Sequence, residues 1–105
     1  MRSLVFDVKD QIIVKNNNCN FDNIVSGTEG YLVAEFNFSR IWDGYGKVAV
    51  FNNLFEEEAV IIKNNKCLIP SKVLTGDKFY VKVIGSKKGQ RLTTNEVTVN
   101  QRRDR

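Results

Sequence analysis

Four groups of side chains in this sequence have residue types that do chemistry, and their spacing limits what each can do. The turn Ile41-Trp42-Asp43-Gly44-Tyr45-Gly46 sets two aromatic rings beside a carboxylate, which is how many proteins stack on a sugar ring. The competing reading is that Trp42 plugs an open end of the fold, burying about 200 Å² of ring. Glu56-Glu57-Glu58 is the acidic cluster, but consecutive strand residues point to opposite faces, so three adjacent carboxylates do not converge on one cation. They read as a charged guard at a strand edge. Cys19 and Cys67 have no metal-ligand spacing, and with zero histidines in the chain neither thiol has an imidazole to activate it. Thr93-Thr94-Asn95 offers hydroxyls without a base and reads as a strand-end turn. The glycines fall singly or at turns and make no phosphate cradle. The chain is therefore expected to be no enzyme, with no cofactor and no metal.

Length and charge narrow the class further. At 105 residues the chain is one domain, large enough to bury a core without staples. The two cysteines are expected to be free thiols, Cys67 as core filler in Lys66-Cys67-Leu68-Ile69-Pro70 and Cys19 in the polar run Asn16–Asn20. No apolar run approaches the roughly 20 residues a membrane helix needs. The N-terminal stretch reaches Asp7 and Lys9 too soon for a signal peptide, so a cytoplasmic location is expected unless an assembly carries the chain out. The formal charge is +4, with a concentration of arginine in the final Arg102-Arg103-Asp104-Arg105. The other basic cluster is Lys87-Lys88 with Arg91, in a hairpin loop. Nucleic-acid binders concentrate basic residues in a stripe on the folded body, so neither nucleic acid nor membrane is an expected partner.

The elements that must position these groups are almost all strands. Leu4, Phe6 and Val8 alternate with polar positions, and Gln11 to Val14 follows after a turn. Residues 15–30 read as loop. Tyr31 to Phe38 is the clearest strand, with Leu32, Ala34, Phe36 and Phe38 on one side. Further strands are expected at Lys47 to Phe51, Glu57 to Lys63, Lys66 to Ile69, Phe79 to Ile84, Gln90 to Thr93 and Glu96 to Asn100. Asn64-Asn65 is a two-residue hairpin signal, because asparagine tolerates the left-handed conformation. Pro70 to Gly76 reads as one short helical turn. About eight short strands with one helical turn predict an all-β, antiparallel β-sandwich, immunoglobulin-like or jelly-roll-like. The sandwich domain is expected to span 1–100, with 101–105 a basic C-terminal tail.

Two strands break the one-sided pattern. Val48 and Val50 oppose Ala49 and Phe51, and Val60 and Ile62 oppose Ala59 and Ile61. An antiparallel sheet normally leaves its outer face polar, so a second apolar face needs a cover. Val48, Val50, Val60 and Ile62 are accordingly the candidate interface, with Trp42 and Tyr45 the candidate stacking pair of the sugar-binding alternative.

From Phe36 the motifs run Phe36-Asn37-Phe38, Trp42, Lys47-Val48-Ala49-Val50-Phe51, Asn64-Asn65, Cys67-Leu68-Ile69-Pro70 and Val73-Leu74. They continue through Phe79-Tyr80-Val81-Lys82-Val83-Ile84-Gly85 and Arg91-Leu92-Thr93-Thr94-Asn95. This order resembles a small β-sandwich domain of phage and prophage virion proteins of low-GC Gram-positive bacteria, over roughly residues 31–100. The resemblance implies a structural, non-catalytic module of a baseplate, tail appendage or fibre, whose partners are other virion proteins or copies of itself. Two alternatives are a carbohydrate-binding sandwich using Trp42 and Tyr45, and a small phage-encoded inhibitor of a host protein. An oligonucleotide-binding barrel is disfavoured, because Phe36 and Phe38 lie on the apolar face of their strand without interleaved basic residues.

Overall fold

The period-two apolar pattern becomes nine strands in the computed structural model, which describes residues 1–103. They are β1 (Arg2–Lys9), β2 (Ile12–Lys15), β3 (Leu32–Phe38), β4 (Gly46–Asn52), β5 (Glu57–Ile61), β6 (Lys66–Leu68), β7 (Lys78–Lys87), β8 (Gln90–Thr93) and β9 (Val97–Asn100). Two 3-10 turns, Arg40–Trp42 and Ser71–Val73, complete the set; the first of these had no helical signal in the sequence. One sheet has the order β2-β1-β3-β6. The other has the order β5-β4-β7, with β8 and β9 both lying along the far side of β7.

The fold is an all-β sandwich, as its sequence pattern implies, with one departure in strand direction. β1 and β3 pair in parallel, Leu4 opposite Ala34 and Phe6 opposite Phe36. Parallel neighbours need a crossover of about a dozen residues or more, and the Asn-rich loop 16–31 is that crossover. It is tied to the edge of β1 that β2 leaves uncovered. Asn16 N–H donates to the Val5 carbonyl at 3.0 Å, and Val5 N–H donates to Cys19 Sγ at 3.3 Å. Arg2 then clamps the far part of the loop, donating to the carbonyls of Asn20, Asp22 and Asn23.

Between the sheets lie Leu4, Phe6, Val8, Ile13, Ala34 and Phe36 from one side and Ala49, Phe51, Val81, Val83 and Val99 from the other. Burying each large side chain contributes about 1.5–3 kcal/mol. The second 3-10 turn adds Val73 and Leu74, both fully buried. A row of aromatic rings runs through the core: Phe21, Phe6, Phe36, Phe38, Trp42 and Tyr45, with successive centroids 5.4 to 6.1 Å apart. Such offset and edge contacts add to the area buried.

Both open sides of the sandwich are stitched. On one side the hairpin Lys63–Lys66 joins β5 of one sheet to β6 of the other, and Asn64 and Asn65 take φ of 53° and 61° at its tip. Those angles fit the primed two-residue turn that the Asn-Asn pair signals. On the other side Asn95 acts as a substitute strand residue. Its Oδ1 accepts from Ile13 N–H at 2.8 Å and its Nδ2 donates to the Ile13 carbonyl at 3.3 Å. The chain keeps pairing beyond Asn100. Gln101 is buried with its N–H on the Asp77 carbonyl, and Arg102 N–H donates to the Ile24 carbonyl at 2.7 Å. Segment 101–105 thus starts inside the body of the fold; Asp104 and Arg105 lie outside the described residues.

Candidate functional site

The register of the five-stranded sheet determines which of the interface residues share a face. Val48 sits opposite Ile61 on β5 and Ile84 on β7, while Val50 sits opposite Ala59 and Lys82. Val60 sits opposite Ala49, a core residue, and both Val60 and Ile62 pack against the core. The four proposed residues therefore split into two pairs. Val48 and Val50 face outward; Val60 and Ile62 face inward, because the turn between β4 and β5 brings Ala59 and Ile61 to the outside.

The outer face that results is an apolar row across three strands, Ile61, Val48 and Ile84, flanked by Ala59 and Val50. Ile61 is 65 % exposed. Val50 is 5 % exposed although it lies outside the main core, so this face already shields its own centre. Beyond that row the surface turns polar: Asn52 lies opposite Glu57 and Tyr80, and Tyr80 opposite Thr98. The outer face of the other sheet has a polar centre instead. There the Asp7 carboxylate accepts from Asn37 Nδ2 at 2.9 Å and from Asn16 Nδ2 at 3.0 Å. Among the described residues, the β4–β5–β7 face alone has an apolar row running unbroken across three strands.

Trp42 has no exposed surface, which places its ring in the end-plug position. Its Nε1 donates to the Asp10 carbonyl at 2.7 Å, and its ring packs between Phe38 and Tyr45. A buried face is not presented to a sugar, so the stacking pair loses its larger member. Tyr45 is half-buried, with its hydroxyl donating to Gln90 Oε1 at 2.7 Å and Lys87 Nζ above its ring at 5.2 Å.

The remaining chemical groups are engaged in structure. Thr94 is buried. Its Oγ1 accepts from Val83 N–H at 3.0 Å and donates to the Asn95 carbonyl, bridging the gap in pairing where β8 gives way to β9. The Thr-Asn pair read as a strand end is thus a bulge that keeps β7 paired along its length. Both cysteines are free, and burial pushes the Cys67 thiol up to about 12. Among the described residues no three His, Cys, Asp or Glu side chains gather where they could hold a metal ion. Among the described residues, no helix is long and apolar enough to cross a membrane.

The alternation pattern in the sequence does not single out the pair Leu54 and Phe55. They are 81 % and 89 % exposed at the tip of the β4–β5 turn. Their position in a turn rather than a strand hid them from any alternation pattern. No protein-family model matches the chain, and no curated protein matches it significantly.

Proposed function

We propose that this protein works by non-covalent assembly, as a structural or virion-associated interaction module that docks through the outer face of β4, β5 and β7. The observation that supports this reading is the apolar row Ile61–Val48–Ile84, set across three neighbouring strands with a polar surround. An apolar centre with a polar rim is the usual anatomy of a protein interface. The virion assignment within this reading rests on the order of motifs from Phe36 to Asn95, which resembles that of phage structural modules. A host-protein inhibitor would use the same face on a different partner.

The test is made on purified phage particles from a strain that produces this chain. Mass spectrometry should find the chain as a particle component. Hydroxyl-radical footprinting should show Val48, Ile61 and Ile84 less reactive in the particle than in the free chain. A chain absent from the particles, or a row equally reactive in both states, would overturn the proposal.

A further inference from the structure

The two ends of the sandwich differ in charge, and the more acidic end carries a pair of unburied apolar side chains. β7 has ten residues, and at about 3.4 Å per residue it spans roughly 34 Å. That exceeds both short dimensions, 29 and 21 Å, of a body 47 Å long. The strands therefore run along the long axis, and the loops collect at its ends.

At the end closed by Trp42, the β1–β2 turn brings Lys9, the first 3-10 turn brings Arg40 and the start of β4 brings Lys47. Lys63 follows Ile62, whose N–H donates to the Lys47 carbonyl, so it lies at the same level. The β7–β8 hairpin adds Lys87, Lys88 and Arg91. Two carboxylates, Asp10 and Asp43, stand against these seven cations among the described residues. Two of the ammonium groups are held in place: Lys87 Nζ over the Tyr45 ring, and Lys47 Nζ on the Tyr45 carbonyl at 3.2 Å.

The opposite end has the reverse balance. The β4–β5 turn brings Glu56, Glu57 and Glu58, and neighbouring segments bring Asp22, Glu29, Asp77 and Glu96. Five side-chain cations, Arg2, Lys72, Lys78, Arg102 and Arg103, accompany these seven carboxylates among the described residues, and Lys78 and Arg103 line one hollow with Leu54 and Phe55. Arg2 is directed onto three backbone carbonyls, and Lys72 lies 3.3 Å from Glu58, a pair that cancels one charge of each sign. From this end project Leu54 and Phe55. Asn53 fixes their turn: its Oδ1 accepts from the N–H groups of Phe55 and Glu56, both at 2.8 Å, and its Nδ2 donates to the Val73 carbonyl at 3.2 Å. A turn already ordered loses little entropy on docking.

We propose that the protein associates end to end with further copies of itself, the acidic Leu54–Phe55 tip of one copy seated on the basic Trp42 end of the next. Ile41, 45 % exposed beside Trp42, supplies an apolar seat for the tip. The contact joins two different patches, so it leaves one end of each sign free and growth does not stop at a dimer. It is separate from the Ile61–Val48–Ile84 row and stands or falls independently of it.

Sedimentation velocity of the full chain over a concentration series tests this. Species larger than a dimer should form at about 0.02 M salt and dissociate at about 0.5 M, where the screening length shrinks to about 4 Å. A Glu56→Lys/Glu57→Lys chain has two basic ends, and a Lys9→Glu/Lys87→Glu/Lys88→Glu chain has two acidic ones. Each alone should associate at least tenfold more weakly, and an equimolar mixture of the two should recover wild-type association. Phe55→Ser should weaken association at an unchanged melting temperature, and the uncharged Ile61→Ser should leave it intact. A wild-type chain that stays monomeric, a salt-insensitive dimer, or a mixture no better than its components would overturn the proposal.

Discussion

Gly85 lies near the end of β7 at a point where the protein has no room for a methyl group. A Cβ there would sit 2.8 Å from Trp42 Cζ3, 3.1 Å from Cε3 and 3.2 Å from Tyr45 Cδ2. The Trp42 ring has little freedom to retreat, being fully buried, bonded to Asp10 and wedged between Phe38 and Tyr45. Overpacking of this kind costs about 1–3 kcal/mol. It outweighs the roughly 0.5–1 kcal/mol by which alanine ordinarily improves on glycine in a strand. Net of that gain, Gly85→Ala should lower stability by about 1–2 kcal/mol, or the melting temperature by roughly 4–16 °C for a domain of this size. Trp42→Ala alone should cost about 3–5 kcal/mol. In that background the new methyl enters the vacated space, so the cost of Gly85→Ala should vanish and the two substitutions should couple by at least about 1 kcal/mol. Trp42 is the chain's one tryptophan, so the denaturation series must be followed by far-UV circular dichroism rather than by tryptophan emission. If Gly85→Ala proves neutral, or costs the same with and without Trp42, the end-plug account of this turn is refuted.

Thr94→Val keeps the side-chain shape but leaves the buried Val83 N–H without its acceptor, and should cost about 1–3 kcal/mol in a urea melt. The Cys67 thiol, ordinarily near 9.0, is pushed to about 12 by burial, so the folded protein holds this proton more tightly than the unfolded chain. Its contribution is complete below about pH 9 and lost as pH rises toward about 12; the loss of stability across that window should be shallower in Cys67→Ala than in the wild type. In a thiol-reagent time course on the native protein, Cys19 should react in a first phase and Cys67 only as the fold opens, and two equal fast phases would contradict the burial of Cys67.

Strand existence was legible in the sequence because each strand carries its own two-residue alternation, and one half-buried face is enough to impose that period. Leu32, Ala34 and Phe36 declare their side without reference to the rest of the chain, and Asn64-Asn65 declares its turn from the conformation that asparagine tolerates. Trp42 could also be weighed as a plug from its size alone. Pairing could not be read this way. Nothing local to β1 and β3 says that they run parallel, since that depends on where the Asn-rich crossover carries the chain. The same limit split the interface residues: alternation shows that Val60 and Ile61 point to opposite faces, but only the register against β4 decides which faces the core. One residue more or less in the Asn53–Glu56 turn would exchange them. Leu54 and Phe55 were invisible for a related reason, since an apolar pair in a turn is exposed or buried according to what the second 3-10 turn leaves open beside it. The sequence by itself determined an all-β fold with a Trp-centred end and no histidine. The tertiary structure decided which apolar residues remain outside, and that charge divides between the two ends, because both depend on contacts between residues far apart in the chain.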